Sequence, residues 1–183
     1  MSEEISFEDL ELIPFTSPAL KESPQQVDLE KDDLKAIKFG LLQAMQKFGG
    51  VGLSANQVGI DKACFVIGDG KPEGMQKAFF NPLLIAVSDE EEVMKEGCLS
   101  FPGLWLMVKR PKQCTIMYHT SEGEEKTETY EGIGARVILH EYDHMVGQNM
   151  TQRVSKLKLE RAFKSIEKKI KKYQRQQKHL KQA

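Results

Sequence analysis

The sequence predicts an α+β domain in which antiparallel strands pack around one central helix, with a further helix near the amino end and a basic one at the carboxyl end. Apolar residues recur at helical spacing in three stretches: 28–50, 136–147 and from Ser155 onward. Between them, from 62 to 132, short apolar or alternating runs are separated by Gly, Pro and polar turns. At 183 residues the chain suffices for one domain with a real core and is short for two.

The first 28 residues, with Pro14, Pro18 and Pro24, read as an irregular lead-in along the surface. In "DLEKDDLKAIKFGLLQAMQKFGG", Leu34, Ile37, Leu41, Leu42, Met45 and Phe48 share one helical face, with Asp28 as the expected cap and Gly49 and Gly50 as the stop. "KACFVIGD" and "KAFFNPLLIAV" read as strands, interrupted by "GDGKPEGM". "WLMVKR", "QCTIMYHT" and "EKTETYEG" add three more, with "SEGE" as a hairpin turn. "RVILHEYDHMVG" is a helix of about a dozen residues closed by Gly147. The last helix carries Leu159, Phe163, Ile166, Ile170 and Tyr173 as a docking stripe, and its Lys/Gln-rich end, 171–183, is expected to fray.

Composition narrows the function classes. Three cysteines, Cys64, Cys98 and Cys114, have no paired spacing, which argues against a disulfide framework and for a reducing, cytoplasmic compartment. The acidic start "MSEEISFEDLELIPF" has no basic region leading into an apolar run, so it does not read as a secretory signal. No apolar stretch approaches the roughly 20 residues that cross a bilayer. The net charge of −1 hides an asymmetry: Lys156–Ala183 holds eleven Lys or Arg against Glu160 and Glu167, whereas the preceding residues carry 15 basic and 25 acidic side chains. A basic tail on an acidic body implies an anionic partner for the tail, or a solvated helix that serves solubility.

The chemistry concentrates in three stretches. In the pattern His-Glu-x-x-His, residues i and i+4 lie one turn apart on one helix face, so His140 and His144 can aim imidazole nitrogens at one ion. Glu141 lies near that face, placed to handle a proton of water, and Ile133 and Val137 extend the face as an apolar wall. By itself the pattern can also arise on an ordinary amphipathic helix. A catalytic site needs a third ligand; Glu160, Glu167 and Cys98 are the candidates, Cys98 alone reading equally as a buried structural residue. In "GGVGLSANQVG" the glycines uncover the backbone for an approaching extended peptide, and Gln57 offers an amide donor; no Lys-Ser/Thr follows, so it is a poor phosphate loop.

Together these stretches resemble the peptide deformylase family. Its first motif matches Gly50, Val51, Gly52, Leu53, Ser54, Ala55, Asn56 and Gln57; its second, Glu96, Gly97, Cys98, Leu99 and Ser100; its third, His140, Glu141, Asp143, His144, Met145 and Gly147. The weaker likeness runs from about Ile13 into the final helix. One departure is Leu139, where the family usually has glutamine; on a helical wheel it points away from the two histidines, so it bears on the packing behind the ligands rather than on the ligands.

The resemblance implies that Cys98, His140 and His144 hold one divalent ion, iron(II) natively, with zinc or nickel able to replace it, and with oxygen sensitivity as a consequence. It implies hydrolysis of the N-formyl group from the initiator methionine of nascent chains, with Glu141 moving the proton and Gln57 and the Leu99 backbone N–H facing the developing oxyanion. Val51, Gly52, Leu104, Ile133 and Val137 are the expected methionine slot and peptide-pairing edge, and specificity beyond the first residue should be weak. Glu96 and Arg110 would brace the cysteine loop, Asp143 would support the helix, and Trp105 could close over the substrate or simply pack. Residues 1–155 would form the catalytic domain with 156–183 as an appended basic helix, whose rRNA contact would rest on phosphate rather than base sequence. Two rivals keep the same residues: a metallopeptidase with a glutamate third ligand, and a ribosome-binding protein without turnover.

Overall fold

The computed structural model describes residues 9–69 and 74–180, apart from the side chains of 170, 173 and 175–180. Three helices, α1 (Leu34–Lys47), α2 (Gly132–Met145) and α3 (Lys156–Leu180), surround seven strands: β1 (Gly52–Ser54), β2 (Cys64–Gly68), β3 (Gln76–Val87), β4 (Glu91–Gly97), β5 (Trp105–Pro111), β6 (Gln113–His119) and β7 (Glu125–Glu131). All pairings are antiparallel; one sheet runs β1-β2-β3-β6-β7 and a second is the β4–β5 hairpin.

The central sheet separates the two inner helices because strand side chains alternate. On β2, Cys64 and Val66 join Phe80, Leu41 and Met45 beneath α1, whereas Phe65 and Ile67 join Phe79, Ile116 and Ile138 beneath α2. A third apolar cluster, Leu104, Leu106, Val108 and Met150, receives Leu159, Ala162 and Ile166 of α3. The expected docking stripe therefore holds at Leu159 and Ile166, but Phe163 is exposed and Ala162 takes its place. Ile170 and Tyr173 lie outside the described side chains. The helix extends through Leu180, in keeping with the good helix propensity of its Lys, Arg and Gln run, and 181–183 of the end expected to fray lie outside the described residues.

The cap of α1 also differs from expectation. Asp33, not Asp28, accepts from the backbone N–H groups of Lys35 and Ala36. Asp28 instead closes its own turn by accepting from the N–H groups of Glu30 and Lys31. Two strands have no counterpart in the sequence reading. β1 is three residues long, too short for any periodicity, and β4, "EEVMKEG", carries three glutamates and a lysine, residues depleted in strands. β4 exists because β5 pairs with it throughout, Glu96 opposite Leu106 and Gly97 opposite Trp105.

Candidate metal centre

The strand β4 ends by delivering Cys98 to the buried face of α2. Cys98 Sγ lies 3.5 Å from His144 Nε2, and the ligand-capable atoms of Cys98, His140 and His144 all fall within 4.8 Å of one another. Among the described residues this is the group that could hold an ion; Glu160 and Glu167 are exposed on α3 and do not belong to it. His140 donates from Nδ1 to Glu96 Oε2 at 3.0 Å, which fixes the ring and leaves Nε2 for the centre. His144 is fully buried, and its Nδ1 has no hydrogen-bond partner among the described residues.

Glu96 anchors a polar network under these three residues. Arg110 donates to both its oxygens, at 2.7 and 2.9 Å, and Arg136 donates to Oε1 at 2.8 Å. Arg110 also reaches Asp143 at 2.8 Å and the Leu139 carbonyl at 3.1 Å, and Asp143 accepts in addition from Arg153. Burial disfavours the Glu96 carboxylate, but hydrogen bonds from His140, Arg110 and Arg136 outweigh it and hold its pKa well below the usual range. Leu139 itself packs in the core between α2 and the sheet, away from both histidines.

Electrostatics separate the three titratable groups of α2. Glu141 is buried, its Oε2 has no hydrogen-bond partner among the described residues, and desolvation pushes its pKa up to about 7 against the pull of His140 and Arg110. His144 is pushed down to about 3, first by burial and then by the charges of His140 and Arg110. Burial also works against a proton on His140, yet the contacts to Cys98 and Glu96 raise it to about 10. A cation in this group would displace that proton, so ion uptake and proton release are linked.

Gln57 sits in the short turn after β1. Its Oε1 accepts from Ser54 N–H at 3.0 Å, and its Nε2 donates to Ser100 Oγ at 3.0 Å and to Cys98 Sγ at 3.4 Å. Both amide hydrogens are thus engaged, one of them with a weak acceptor. Asn56 donates to the His144 carbonyl at 3.0 Å and ties this turn to the end of α2. Gly52 is required beside it: a Cβ there would approach Glu141 Cδ to 2.9 Å.

A cavity of about 760 Å³ opens onto the group, lined among others by Val51, Gly52, Gln57, Glu96, Cys98, Leu99, Leu104, Ile133, Val137, His140 and Glu141. All five expected slot residues border it, at different depths: Leu104 is buried, Val137 half-buried, Val51 and Ile133 exposed at the rim. The sequence reading passed over Ser100, Asn56, Arg136 and Arg153 as site-building residues. Arg136 had a signal, standing one helical turn before His140 on the same face; for Asn56 and Arg153 nothing local announces a partner 88 or 10 residues away.

The polypeptide deformylase family model matches residues 10–160. This chain belongs to the polypeptide deformylase family. A curated peptide deformylase of Phenylobacterium zucineum is 36% identical over 161 residues, covering 86% of this chain and 95% of that protein. Among solved structures, a plant peptide deformylase superposes with a TM-score of 0.83 at 31% identity, covering 94% of this chain and 96% of the other. The peptide deformylase of Synechococcus elongatus, solved in complex with actinonin, has a TM-score of 0.81 at 31% identity over 86% of this chain and 87% of its own. The α+β expectation holds, and with it the activity: a metal-dependent amide hydrolase that removes the N-formyl group from the initiator methionine of nascent chains and releases formate. None of the described helices is long and apolar enough to cross a membrane.

Proposed function

We propose that Cys98, His140 and His144 hold one divalent ion, iron(II) in the resident state with zinc or nickel as substitutes, and that the deformylation runs against it. The observation that carries this reading is the buried Cys-His-His group, its ligand atoms within 4.8 Å of one another, with the unpartnered Glu141 carboxylate beside it. A thiolate and two imidazoles suit a transition metal rather than a hard cation. Bound there, such an ion supplies Lewis acidity, polarising a carbonyl and lowering the pKa of water.

The protein groups complete the reaction. Glu141, with its pKa raised to about 7, takes a proton from the attacking water near neutral pH and returns it to the leaving amine. The developing oxyanion meets the Leu99 backbone N–H and the Gln57 amide, which gives up its long contact to Cys98 Sγ to do so; each donor contributes about 2–4 kcal/mol in the transition state. The methionine side chain enters the cavity between Leu104 and Val137, with Val51 and Ile133 at its rim. The following residues lie extended along β1, an edge strand whose outer side pairs with no other described strand. Glu96 and Arg110 brace the cysteine loop and the His140 ring, and Asp143 secures α2 to Arg110. A formyl carbon bears only hydrogen, so a close-walled centre admits it and excludes acetyl and peptidyl groups.

Anaerobic loading with iron(II), followed by formate release from a formyl-Met tripeptide, tests the assignment. Wild type is expected to turn over and hold one ion, and Cys98→Ala to retain about a tenth of it or less. Ion binding that survives Cys98→Ala but fails in Glu160→Ala or Glu167→Ala would return the metallopeptidase rival.

Residues 1–155 act as the catalytic unit in this reading, and 156–183 as an appended helix in a cytoplasmic enzyme. Its nine excess positive charges suit rRNA phosphate by counterion release, without base readout. Charge reversal at the exposed Lys168, Lys169, Lys171 and Lys172 is expected to abolish salt-sensitive co-sedimentation with ribosomes; undiminished pelleting would refute the contact.

A further inference from the structure

The mouth of the cavity carries an aromatic–cationic pair that deformylation itself does not use. Gly97, which precedes Cys98, stands across from Trp105 in the β4–β5 hairpin, and both border the cavity. The indole lies on Gly97: a Cβ at that position would meet three of its ring carbons at 3.0–3.1 Å, so glycine leaves the ring its seat. Two residues back on the same strand face, Lys95 holds its ammonium 5.0 Å from the centre of the indole. Trp105 is 57% exposed even so.

Charge around this pair is unbalanced. Of the other charged side chains bordering the cavity, Glu96 and Arg136 pair with each other, His140 turns to Glu96, and Glu141 is buried at the centre. Among the described residues no carboxylate pairs with Lys95. The mouth therefore presents one uncompensated cation beside an exposed aromatic face, a combination that accepts a methylene stem on the ring and a carboxylate at its end.

We infer that Trp105 and Lys95 form a subsite that reads the second or third residue of the formylated peptide and favours an acidic side chain. The inference rests on the proposed seating of the peptide along β1, opposite this hairpin. An extended chain advances about 3.3 Å per residue, so a side chain one or two residues beyond the methionine is within reach of a ring seated next to Cys98. The subsite departs from the sequence expectation that specificity beyond the first residue is weak.

Trp105 is the only tryptophan, so its fluorescence reports the subsite without reference to turnover. The metal-loaded enzyme would be given formyl-Met-X-Ser and formyl-Met-Ser-X amides with X as Glu, Gln or Lys. The corresponding deformylated peptides would be titrated in parallel by tryptophan emission. At one of the two positions Glu is expected to exceed Lys in kcat/KM by about three- to tenfold, with Gln between, the gap narrowing as salt is added. Lys95→Glu is expected to invert that order, and emission to rank the peptides as turnover does. Equal use of Glu, Gln and Lys at both positions overturns the subsite, as does an order that survives Lys95→Glu. Formate release from none of the peptides, with emission still ranking Glu above Lys, would instead sink the deformylation roles and leave the subsite standing.

Discussion

Glu141→Gln is expected to lower kcat by about 10²–10⁴-fold while the ion content stays at the wild-type level. In the proposed reaction the carboxylate carries the proton and is not a ligand, and the amide keeps its shape while losing its basicity. The same substitution has an effect on folding that separates it from an ordinary active-site lesion. Glu141 is buried with one oxygen unpartnered, and its pKa in the fold is raised to about 7 by desolvation. A carboxyl that holds its proton more tightly folded than unfolded contributes stability fully below its unfolded pKa, near 4.5, and loses that contribution as the pH rises through about 7. In chelator-treated protein, Glu141→Gln should therefore match wild type near pH 4.5 and exceed it at pH 8, by on the order of 2–4 kcal/mol. Urea titrations of the two proteins at both pH values measure the difference, and groups that do not interact with Glu141 cancel. A variant less stable than wild type at pH 8 would mean that the carboxylate is stabilised by something other than the groups around it here.

The line between what the chain revealed in advance and what it concealed follows the range of the interactions. His140, Glu141 and His144 lie within one and a half turns of helix, so their common face is readable from spacing alone. Cys98 is 46 residues from His144, and no local pattern selects it over Glu160 or Glu167; only the likeness of whole motifs did. The helices and the five strands with apolar or alternating composition were legible, because burial on one face imprints a period. β4 was not, since of its seven residues the one buried is a carboxylate, and Glu96 turns inward only because Arg110, Arg136 and His140 await it. Gln57 was recognised as a donor, but that both its hydrogens are held by Ser100 and Cys98 is a fact of the fold. The Asp28 cap failed for a related reason: two acidic residues compete for one helix start, and the nearer, Asp33, reaches the free N–H groups.

Arg110→Ala is expected to be the most destabilising single change in the network, at about 3–5 kcal/mol. The guanidinium makes four hydrogen bonds, two to Glu96 and one each to Asp143 and the Leu139 carbonyl, and all these partners are buried. Removing it leaves the buried carboxylates of Glu96 and Asp143 short of a main partner, and Arg136 and Arg153 can each answer only part of one of them. For a chain of this length the melting temperature should fall by roughly 6–20 °C. Lysine should not rescue it, because one ammonium cannot offer parallel donors to Glu96 and still span to Asp143. Since Glu96 also orients the His140 ring, ion affinity should drop by about 10–100-fold, measurable by competition with a chelator at a temperature where the variant is folded. Acid provides the internal check. Glu96 is held ionised well below the usual carboxylate range, so the stability it confers is present above its unfolded pKa and disappears as the pH falls beneath it. The gap between wild type and Arg110→Ala should therefore narrow on acidification below about pH 4.5, where protonation relieves Glu96 of its charge. A melting temperature within about 2 °C of wild type at neutral pH, under half the shift that even 2 kcal/mol would give, would show that the network holds without its central guanidinium.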